Sequence, residues 1–373
     1  MTSPQTRPAT FAGTAIIVGA SLSGLMTALS LSRIGMSVTM LERSDDNGRT
    51  GASLSAVEGM LERLTGKPPT ADQPAMRGGI QTWVAVHDCL RAAVDRDPAI
   101  EVVHHAQVRE LGQNQHHAWA EACDGQVFAA DMVIGADGYR SVVRRFVAPD
   151  RPDASFAGYL IWLGISDETA ISPPYPSGFA YHEAEGYCFL GAPLPGVDGS
   201  TESGRRRVSW AWYDGGCDTL LRSTGAVVDR VVQRTLRADE IPDDIYAELA
   251  AKAERLWPDP WREAIHDCVA RHSIIATPTA EYVPERLARG RLCLVGDAAH
   301  LPTPMTAMGL RSAFDDALAL ADAISLSNRG NSSLPETLAS YERARLTIAK
   351  QIVLAGRNFS RDFMRTARSR RVA

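Results

Sequence analysis

Apolar positions are most regularly placed near the start of the chain. Residues 15–18 form a continuous apolar run of the kind that a buried parallel strand carries. Apolar residues then recur at helical spacing over residues 22–29, and residues 38–41 form a second strand-like run. This pattern predicts a strand, a helix and a second strand, which together make a βαβ unit.

The rest of the chain switches between helical and strand-like patterns. A block from about residue 149 to 217 consists of short, aromatic-rich segments broken by Gly and Pro, which is typical of an antiparallel sheet. Helices are predicted over residues 52–64, 82–94, 225–270, 297–325 and 334–368, and strands over residues 101–111, 127–134 and 291–296. Strands of the parallel type occur on both sides of the aromatic block, which predicts two interleaved domains.

The turn inside the βαβ unit carries a pattern suited to a dinucleotide. Gly19 permits a tight turn, Gly24 lets the helix pack closely on the strand, and the helix N-terminus faces a pyrophosphate. Glu42 ends the second strand, where its carboxylate can accept a hydrogen bond from a ribose hydroxyl. Ser21 replaces the middle glycine of the usual pattern. On these residues alone the unit could bind NAD as easily as FAD.

Two acidic residues follow later strand-like runs. Asp137 lies in the string GADGYRSVVRR, and Asp297 lies in LVGDAAH. An acid at the carboxyl end of a strand lies where open α/β sheets bind their ligands. Taken alone, either acid could instead cap the N-terminus of the helix that follows it.

Together, the strings VGASLSG, GADGYRSVVRR and GDAAHLPTPMTAMGL resemble the motifs of the group A FAD-dependent aromatic hydroxylases, the para-hydroxybenzoate hydroxylase superfamily. The resemblance runs through residues 14–325 and the closing helices. It implies an α/β fold in which a Rossmann-like FAD-binding domain is interleaved with an antiparallel β-sheet substrate domain, followed by C-terminal helices. We expect the FAD-binding domain to comprise residues 11–70, 84–155 and 271–330, the substrate domain residues 71–83 and 156–270, and the C-terminal helical segment residues 331–373.

The resemblance also implies which residues bind FAD. The glycine-containing turn approaches the pyrophosphate, Glu42 binds the adenosine ribose, and Val108 meets the adenine through its backbone. Asp297 binds the ribitol and pyrophosphate. Asp137 belongs to a motif that takes part in binding FAD and in handling the nicotinamide, and part of its role is structural. The full set of expected cofactor-binding residues is Gly19, Ser21, Leu22, Ser23, Gly24, Glu42, Arg43, Arg49, Val108, Asp137, Gly296, Asp297, Gly309 and Leu310.

Some positions depart from the common family pattern. Thr306 and Ala307 stand where the family usually has glycine, and Arg311 stands where it has asparagine. Thr82 and Trp83, the Trp-x-Trp-Tyr string in the aromatic block and the Pro-x-x-Ala-x-Gly string after GDA resemble a branch like 2,6-dihydroxypyridine 3-hydroxylase. The chain is short between residues 52 and 83, a region that normally brings extra elements to the substrate pocket.

Aromatic residues are the expected substrate contacts, since an aromatic-lined pocket positions a ring and excludes water. The candidates are Trp83, Trp162, Trp210 and Trp212, and alternation places Trp210 and Trp212 on one face of their strand with Tyr213 on the other. About half of such aromatics are expected to be plain packing residues. The catalytic candidates are His182, Tyr213 and Arg311, although His182 could be a surface residue and Arg311 a solvated one.

Composition narrows the class of protein. The 373 residues carry a net charge of -5, which offers no general attraction to nucleic acid, and the six cysteines show no metal-ligand spacing. The apolar runs have strand length, so no membrane span is expected. We expect a cytoplasmic protein, a monomer or homodimer, with no metal, no nucleic-acid partner and no membrane partner.

The function implied by the resemblance is a monooxygenase reaction. FAD reduced by NADH or NADPH would react with O2 to give a C4a-hydroperoxide that hydroxylates a small aromatic or N-heteroaromatic hydroxy compound. Two alternatives stay open on sequence grounds. One is a FAD oxidase, dehydrogenase or epoxidase of secondary metabolism on the same scaffold, and the other is a flavin-binding protein without turnover.

Overall fold

A computed structural model describes residues 13–44, 53–68, 76, 78–330 and 332–372. Within them, the strands are β1 (Thr14–Val18), β2 (Ser37–Leu41), β3 (Ser53–Ala56), β4 (Gly79–Thr82), β5 (Ile100–Val103), β6 (Val108–Gln113), β7 (Ala118–Ala122), β8 (Val127–Ala130), β9 (Met132–Gly135), β10 (Ser155–Asp167), β11 (Ala180–Ala184), β12 (Tyr187–Leu194), β13 (Arg207–Asp214), β14 (Val227–Val228), β15 (Val231–Val232), β16 (Ile275–Glu281), β17 (Ala288–Arg289) and β18 (Leu292–Leu294).

The helices of the described chain range from single turns to a closing helix of 39 residues. They are α1 (Leu22–Arg33), α2 (Met60–Thr65), α3 (Trp83–Asp95), α4 (Val142–Val147), α5 (Asp218–Ser223), α6 (Asp243–Leu256), α7 (Trp261–Ala270), α8 (Gly309–Gly330) and α9 (Leu334–Val372), with short 3₁₀ turns at Gly296–Ala298 and Pro304–Thr306. None of the helices described is both long enough and apolar enough to cross a bilayer.

A six-stranded sheet positions the nucleotide motifs. Its strand order is β17-β18-β9-β1-β2-β5, and all its pairings are parallel except that of β17 with β18. The central strand β1 is buried because its residues after Thr14 are apolar and helices cover the sheet. Because parallel strands end at one edge, the residues that follow β1, β2, β9 and β18 gather there.

A second, antiparallel sheet has the strand order β11-β12-β13-β10-β16. Its outer face, packed under helices α6 and α7, forms a core that includes Trp162, Trp212 and Trp257. Its inner face, packed against α9, carries Tyr159 and Tyr213. The two faces follow from strict alternation along β10 and β13, whose register places Trp162 opposite Trp212. The α/β fold with an antiparallel sheet and closing helices is therefore confirmed.

Several predicted element boundaries were wrong. The helix predicted over residues 52–64 is, in its described part, strand β3 followed by the short helix α2. The strand predicted over residues 101–111 is two strands separated by a turn in which His105 has a φ of 59°. The helix predicted over residues 225–270 begins only at Asp243, and the one predicted over residues 297–325 begins only at Gly309. Turn-forming local geometry overrode apolar spacing in these segments.

Candidate active site

The glycine-containing turn between β1 and α1 is shaped by two close approaches. Gly19 has a φ of +101°, and a Cβ atom there would lie 2.6 Å from the Ala136 carbonyl oxygen. A Cβ atom on Gly24 would lie 2.0 Å from the Gly19 carbonyl oxygen. Both positions therefore require glycine, and the turn brings α1 directly onto the end of the sheet.

The N-terminus of α1 is open to a ligand. Ser21 is the N-cap residue, but its side chain makes no capping hydrogen bond, and the half-buried Ser23 lies in the first turn. The helix dipole and the backbone amides at the start of a helix favour an anion. A Cβ atom on Gly296 would lie 2.6 Å from the Ser23 Cβ, so the turn after β18 packs directly beside this helix end.

Glu42 follows β2 and Asp297 follows β18 at the same edge of the sheet, and the two carboxylates have different environments. The buried Glu42 carboxylate accepts hydrogen bonds from the Ala20 amide at 2.9 Å and from Ser44, so it also fixes the glycine-containing turn. Asp297 is exposed, and its carboxylate has no hydrogen-bond or ion-pair partner within the described part of the chain. An unpartnered carboxylate at a strand end is suited to accept hydrogen bonds from ligand hydroxyls.

A buried ionic cluster supports the turn that contains Asp297. Asp316 on α8 accepts hydrogen bonds from the Gly296 amide at 3.0 Å, from His300 Nε2 at 2.7 Å and from Arg345 Nε on α9 at 2.7 Å. Burial raises the pKa of Asp316, but the nearby His300 and Arg345 outweigh burial and lower the pKa below its ordinary value. His300 Nδ1 is buried and has no hydrogen-bond partner in the described structure.

Asp137, which the resemblance ties to FAD and nicotinamide handling, has a structural role in the described chain. Its carboxylate accepts hydrogen bonds from the Ser141 hydroxyl at 2.5 Å and from the Val142 and Val143 amides at the start of α4. Asp137 therefore binds the first backbone amides of α4, whose N-cap residue is Ser141, and its contact with FAD stays a prediction. Burial raises its pKa despite these hydrogen bonds.

Arg144 connects the two acidic motifs and was not identified from the sequence. It is buried, and its guanidinium donates to the carbonyl oxygens of Tyr139, Pro152 and Ala298, the last at 3.1 Å. Burial lowers the pKa of this guanidinium. The string GADGYRSVVRR contains the residue, but three arginines occur in it and nothing in the pattern indicates which one turns inward.

The remaining expected cofactor residues lie on several different segments. Leu22 begins α1, Val108 is the buried first residue of β6, Arg43 is exposed after β2, and Arg49 lies outside the described residues. Gly309 and Leu310 begin α8, and a Cβ atom on Gly309 would meet no atom within 4 Å. The free helix end, the unpartnered Asp297 and this open turn fit the pyrophosphate, ribitol and ring of FAD.

Comparison with known proteins identifies the family. The profile of the FAD binding domain family matches residues 13–66 and 73–355. The chain belongs to this family. It is a FAD-dependent monooxygenase, and the resemblance of its motifs to the group A aromatic hydroxylases is confirmed.

Several characterised proteins are similar to this monooxygenase over nearly their whole length. It is 24% identical to 2,6-dihydroxypyridine 3-monooxygenase of Paenarthrobacter nicotinovorans, covering 88% of this chain and 86% of the relative. It is 24% identical to 3-hydroxybenzoate 6-hydroxylase of Klebsiella oxytoca, covering 94% and 88%. The solved structure of 2,6-dihydroxypyridine-3-hydroxylase from Arthrobacter nicotinovorans matches with a TM-score of 0.76 at 21% identity, covering 95% and 94%, which shows the shared fold.

The inner face of the antiparallel sheet presents an apolar patch beside the turn before α8. Leu163, Leu190 and Ala211 lie opposite one another on adjacent strands and are only half-buried. We call these three residues the apolar platform. Met305, from the turn before α8, packs against the same face, and the Tyr159 hydroxyl is hydrogen bonded to Thr303 at 2.6 Å.

The expected substrate contacts Trp162, Trp210 and Trp212 lie in a packed core, and their contact with substrate stays a prediction. All three are at most 2% exposed and lie on the outer face, in the core formed with α6 and α7. His182 lies on the same outer side, since it is opposite Phe189 and its ring is tilted against the Phe189 ring at 6.1 Å. These four side chains therefore point away from the apolar platform.

The other candidates lie on other elements or on the inner face of the sheet. Tyr213 is on the inner face, but its ring is buried edge-on against Phe359 and Phe363 of α9, and burial raises its pKa well above the ordinary value. Arg311 begins α8 and is ion-paired with Asp315 at 3.0 Å. Trp83 is half-buried at the start of α3 and stacks on His87. Their catalytic or substrate roles stay predictions.

Proposed function

We propose that this monooxygenase uses NADH or NADPH and O2 to hydroxylate a small aromatic or N-heteroaromatic hydroxy compound. The observation that carries the proposal is the apolar platform, which is half-open and lies on the side of the sheet that the turn before α8 contacts. Ligand pockets are mostly apolar with a few polar groups, and a flat ring fits such a surface. The platform would bind the ring and exclude water from it.

Different residues of the chain would bind the cofactor and orient the substrate. Bound FAD would supply the oxygen-transfer chemistry, with electrons from the nicotinamide and oxygen from O2. The turn before α8 would hold the flavin against the platform, and Arg311 could favour an anionic substrate or cofactor. Ser209 lies at one border of the platform, where its hydroxyl is within 3.0 Å of the Ser53 hydroxyl and is suited to orient a polar ring substituent.

The named relatives support the choice of compounds for a test. By their names, they act on 2,6-dihydroxypyridine and 3-hydroxybenzoate, which are small hydroxylated rings. A panel of hydroxypyridines, hydroxybenzoates and phenols should therefore be mixed with FAD-loaded protein and NADH or NADPH. We expect one class of ring to accelerate NAD(P)H oxidation and to appear as a product with one added oxygen atom.

A pair of substitutions distinguishes the two faces of the sheet. Ala211→Trp fills the apolar platform and should abolish hydroxylated product while FAD content stays normal. Trp212→Phe, one residue along on the outer face, should lower stability but leave the KM for the ring substrate within about twofold. Loss of substrate binding in Trp212→Phe with normal activity in Ala211→Trp would contradict the proposal.

The alternative functions predict different outcomes. Oxidation of a substrate without O2 would indicate an oxidase or dehydrogenase. Bound FAD that neither NADH nor NADPH reduces, with any ring of the panel present, would indicate a flavin-binding protein without turnover.

A further inference from the structure

An open cleft lies along α9 outside the platform and the FAD edge. Its volume is about 820 Å³, within the range of about 300–1,000 Å³ that is usual for small-molecule sites. One wall is the start of β10 and the other is α9, and Arg230 reaches in from the turn between β14 and β15. No residue of this cleft has been given a role in the reaction above.

Arginine side chains dominate the charge of the cleft. Arg357, Arg361 and Arg365 follow one another on successive turns of α9, so they form a row of about 12 Å along one face of the helix. Arg230 lies across the cleft from this row. Among the described residues that line the cleft, Glu281 is the only acid.

Ion pairs neutralise only part of this row. Glu281 is ion-paired with Arg357 at 3.3 Å and accepts a hydrogen bond from Ser360 at 2.5 Å. Arg365 is ion-paired with Asp362 at 3.2 Å. Arg361 is hydrogen bonded to the neutral side chain of Asn358, and neither Arg361 nor Arg230 is ion-paired with a carboxylate in the described part of the chain. Positive charge in excess of the ion pairs therefore remains on both sides of the cleft.

The turn that supplies Arg230 is held in an unusual conformation. Asp229 and Arg230 have φ values of 48° and 64°, a region in which glycine or asparagine is usual in such a hairpin turn. The Arg230 carbonyl oxygen accepts a hydrogen bond of 2.8 Å from the Phe156 amide at the start of β10. The fold thus pins this arginine over the cleft at a cost in backbone strain, which is typical of a functional position.

The cleft is joined to the turn before α8 by a short chain of hydrogen bonds. Ser360, which lines the cleft, is 3.0 Å from the Tyr159 hydroxyl, and Tyr159 is 2.6 Å from Thr303. A Cβ atom on Gly356 would lie 2.8 Å from the Thr303 side chain, so α9 packs directly on that turn. A ligand in the cleft would therefore lie close to the turn before α8.

We propose that this arginine cleft binds the phosphate groups of a small-molecule ligand. Arginine is the residue best suited to bidentate phosphate recognition, and the spacing of the row suits more than one phosphate. Phe156 and Met364 give the cleft an apolar wall for the rest of the ligand. Two sources share this chemistry, namely the pyrophosphate of the nicotinamide dinucleotide and a free pyrophosphate. The dinucleotide source rests on the proposed function, and the free pyrophosphate does not.

Calorimetric titration of the FAD-loaded protein tests the proposal with two probes, inorganic pyrophosphate and ADP-ribose. We expect both to bind the unmodified protein, and the Arg230→Gln/Arg361→Gln double variant to bind at least about tenfold more weakly. Arg222→Gln, an exposed arginine of α5 outside the cleft, is the matched control and should bind as the unmodified protein does.

Steady-state kinetics then separates the two sources. A rise of about tenfold in the KM for NADH or NADPH with unchanged kcat in the double variant would assign the cleft to the dinucleotide. An unchanged KM, with pyrophosphate binding lost, would assign it to free pyrophosphate. If no ring compound is hydroxylated, the proposed function is wrong. The titrations would still show whether the cleft binds phosphate groups.

The proposal is overturned if neither probe binds below about 10 mM, or if the double variant binds both probes as well as the unmodified protein. Sedimentation velocity of the same variants gives a further check. If the double variant changes self-association and neither probe binds, the cleft is a contact between copies of the chain and not a phosphate site.

Discussion

Individual acids at the FAD edge show how environment decides the role of a residue. Glu42, Asp137 and Asp297 all follow strands of one sheet. Glu42 and Asp137 use their carboxylates to hold backbone amides of the protein, whereas Asp297 has no partner in the described chain. The sequence indicates where these acids lie, because the ends of strands can be predicted from it. It does not indicate which carboxylates are hydrogen bonded to the protein's own backbone.

Asp316 provides a prediction at the scale of a single residue. Asp316→Asn keeps the size of the side chain but leaves the buried Arg345 without its carboxylate. Breaking a buried ion pair from one side costs about 3–5 kcal/mol, so the free energy of unfolding should fall by about that amount. Urea denaturation followed by tryptophan fluorescence measures it, with Asp315→Asn, which loses only a partly exposed pair, as the matched control.

The stability of Asp316→Asn relative to the unmodified protein should also depend on pH. The pKa of Asp316 in the folded protein lies below the ordinary value of 3.8, so its contribution to stability is complete above that value. The contribution is lost as the pH falls through the lower folded pKa. The stability difference between the unmodified protein and Asp316→Asn should therefore be largest at neutral pH and shrink in acid. A difference that grows in acid would contradict this assignment.

At the scale of elements, the antiparallel sheet shows which structural features a sequence pattern can predict and which it cannot. Alternation correctly separated Trp210 and Trp212 from Tyr213. It could not tell which face would be covered, because that depends on α6 and α7, which pack on the sheet from residues 243–270. Small and ordinary residues such as Ala211 form the open surface, and no composition signal indicates them. The long helix α9, in contrast, was predicted almost to its ends because its spacing is regular.

The turn before α8 gives a prediction at the same scale. Ala307 has a φ of 51°, where a residue with a Cβ atom is strained, and it occupies a position at which the resembling family has glycine. Ala307→Gly removes that strain but makes the unfolded chain more flexible, so we expect a net gain of about 0.5–1 kcal/mol in the free energy of unfolding.

An alanine-to-glycine change in ordinary helix is the control for Ala307→Gly. Ala344 is exposed within α9, and its replacement by glycine should lower the free energy of unfolding by about 1 kcal/mol. Thermal or urea unfolding of both variants should thus show shifts of opposite sign. Two shifts of the same sign would mean that the turn does not store backbone strain.

For the whole molecule, the order of the motifs along the chain determined how much of the fold and of the FAD edge could be predicted from the sequence. The edge that fits FAD is assembled from segments far apart in sequence, around Gly19, Asp137 and Asp297, and parallel-strand logic brings them together. The hairpin of β3 and β4 was missed because its residues are mixed polar and apolar without a clear period. Arg345 was missed because an arginine on a long amphipathic helix is normally solvated, and only packing against α8 buries it.

Because FAD would bridge these distant segments, its binding should stabilise the whole fold. A ligand that binds only the folded state at 100 times its Kd adds about 2.7 kcal/mol, so FAD should raise the melting temperature of the apoprotein. Asp297→Ala removes the unpartnered carboxylate and should weaken FAD about tenfold, which at the same FAD concentration removes about 1.4 kcal/mol of that gain. Asp322→Ala, an exposed acid on α8, should show the full shift. Thermal melts with and without FAD, paired with flavin fluorescence titrations, measure both quantities, and an equal FAD-induced shift in Asp297→Ala would remove Asp297 from the cofactor site.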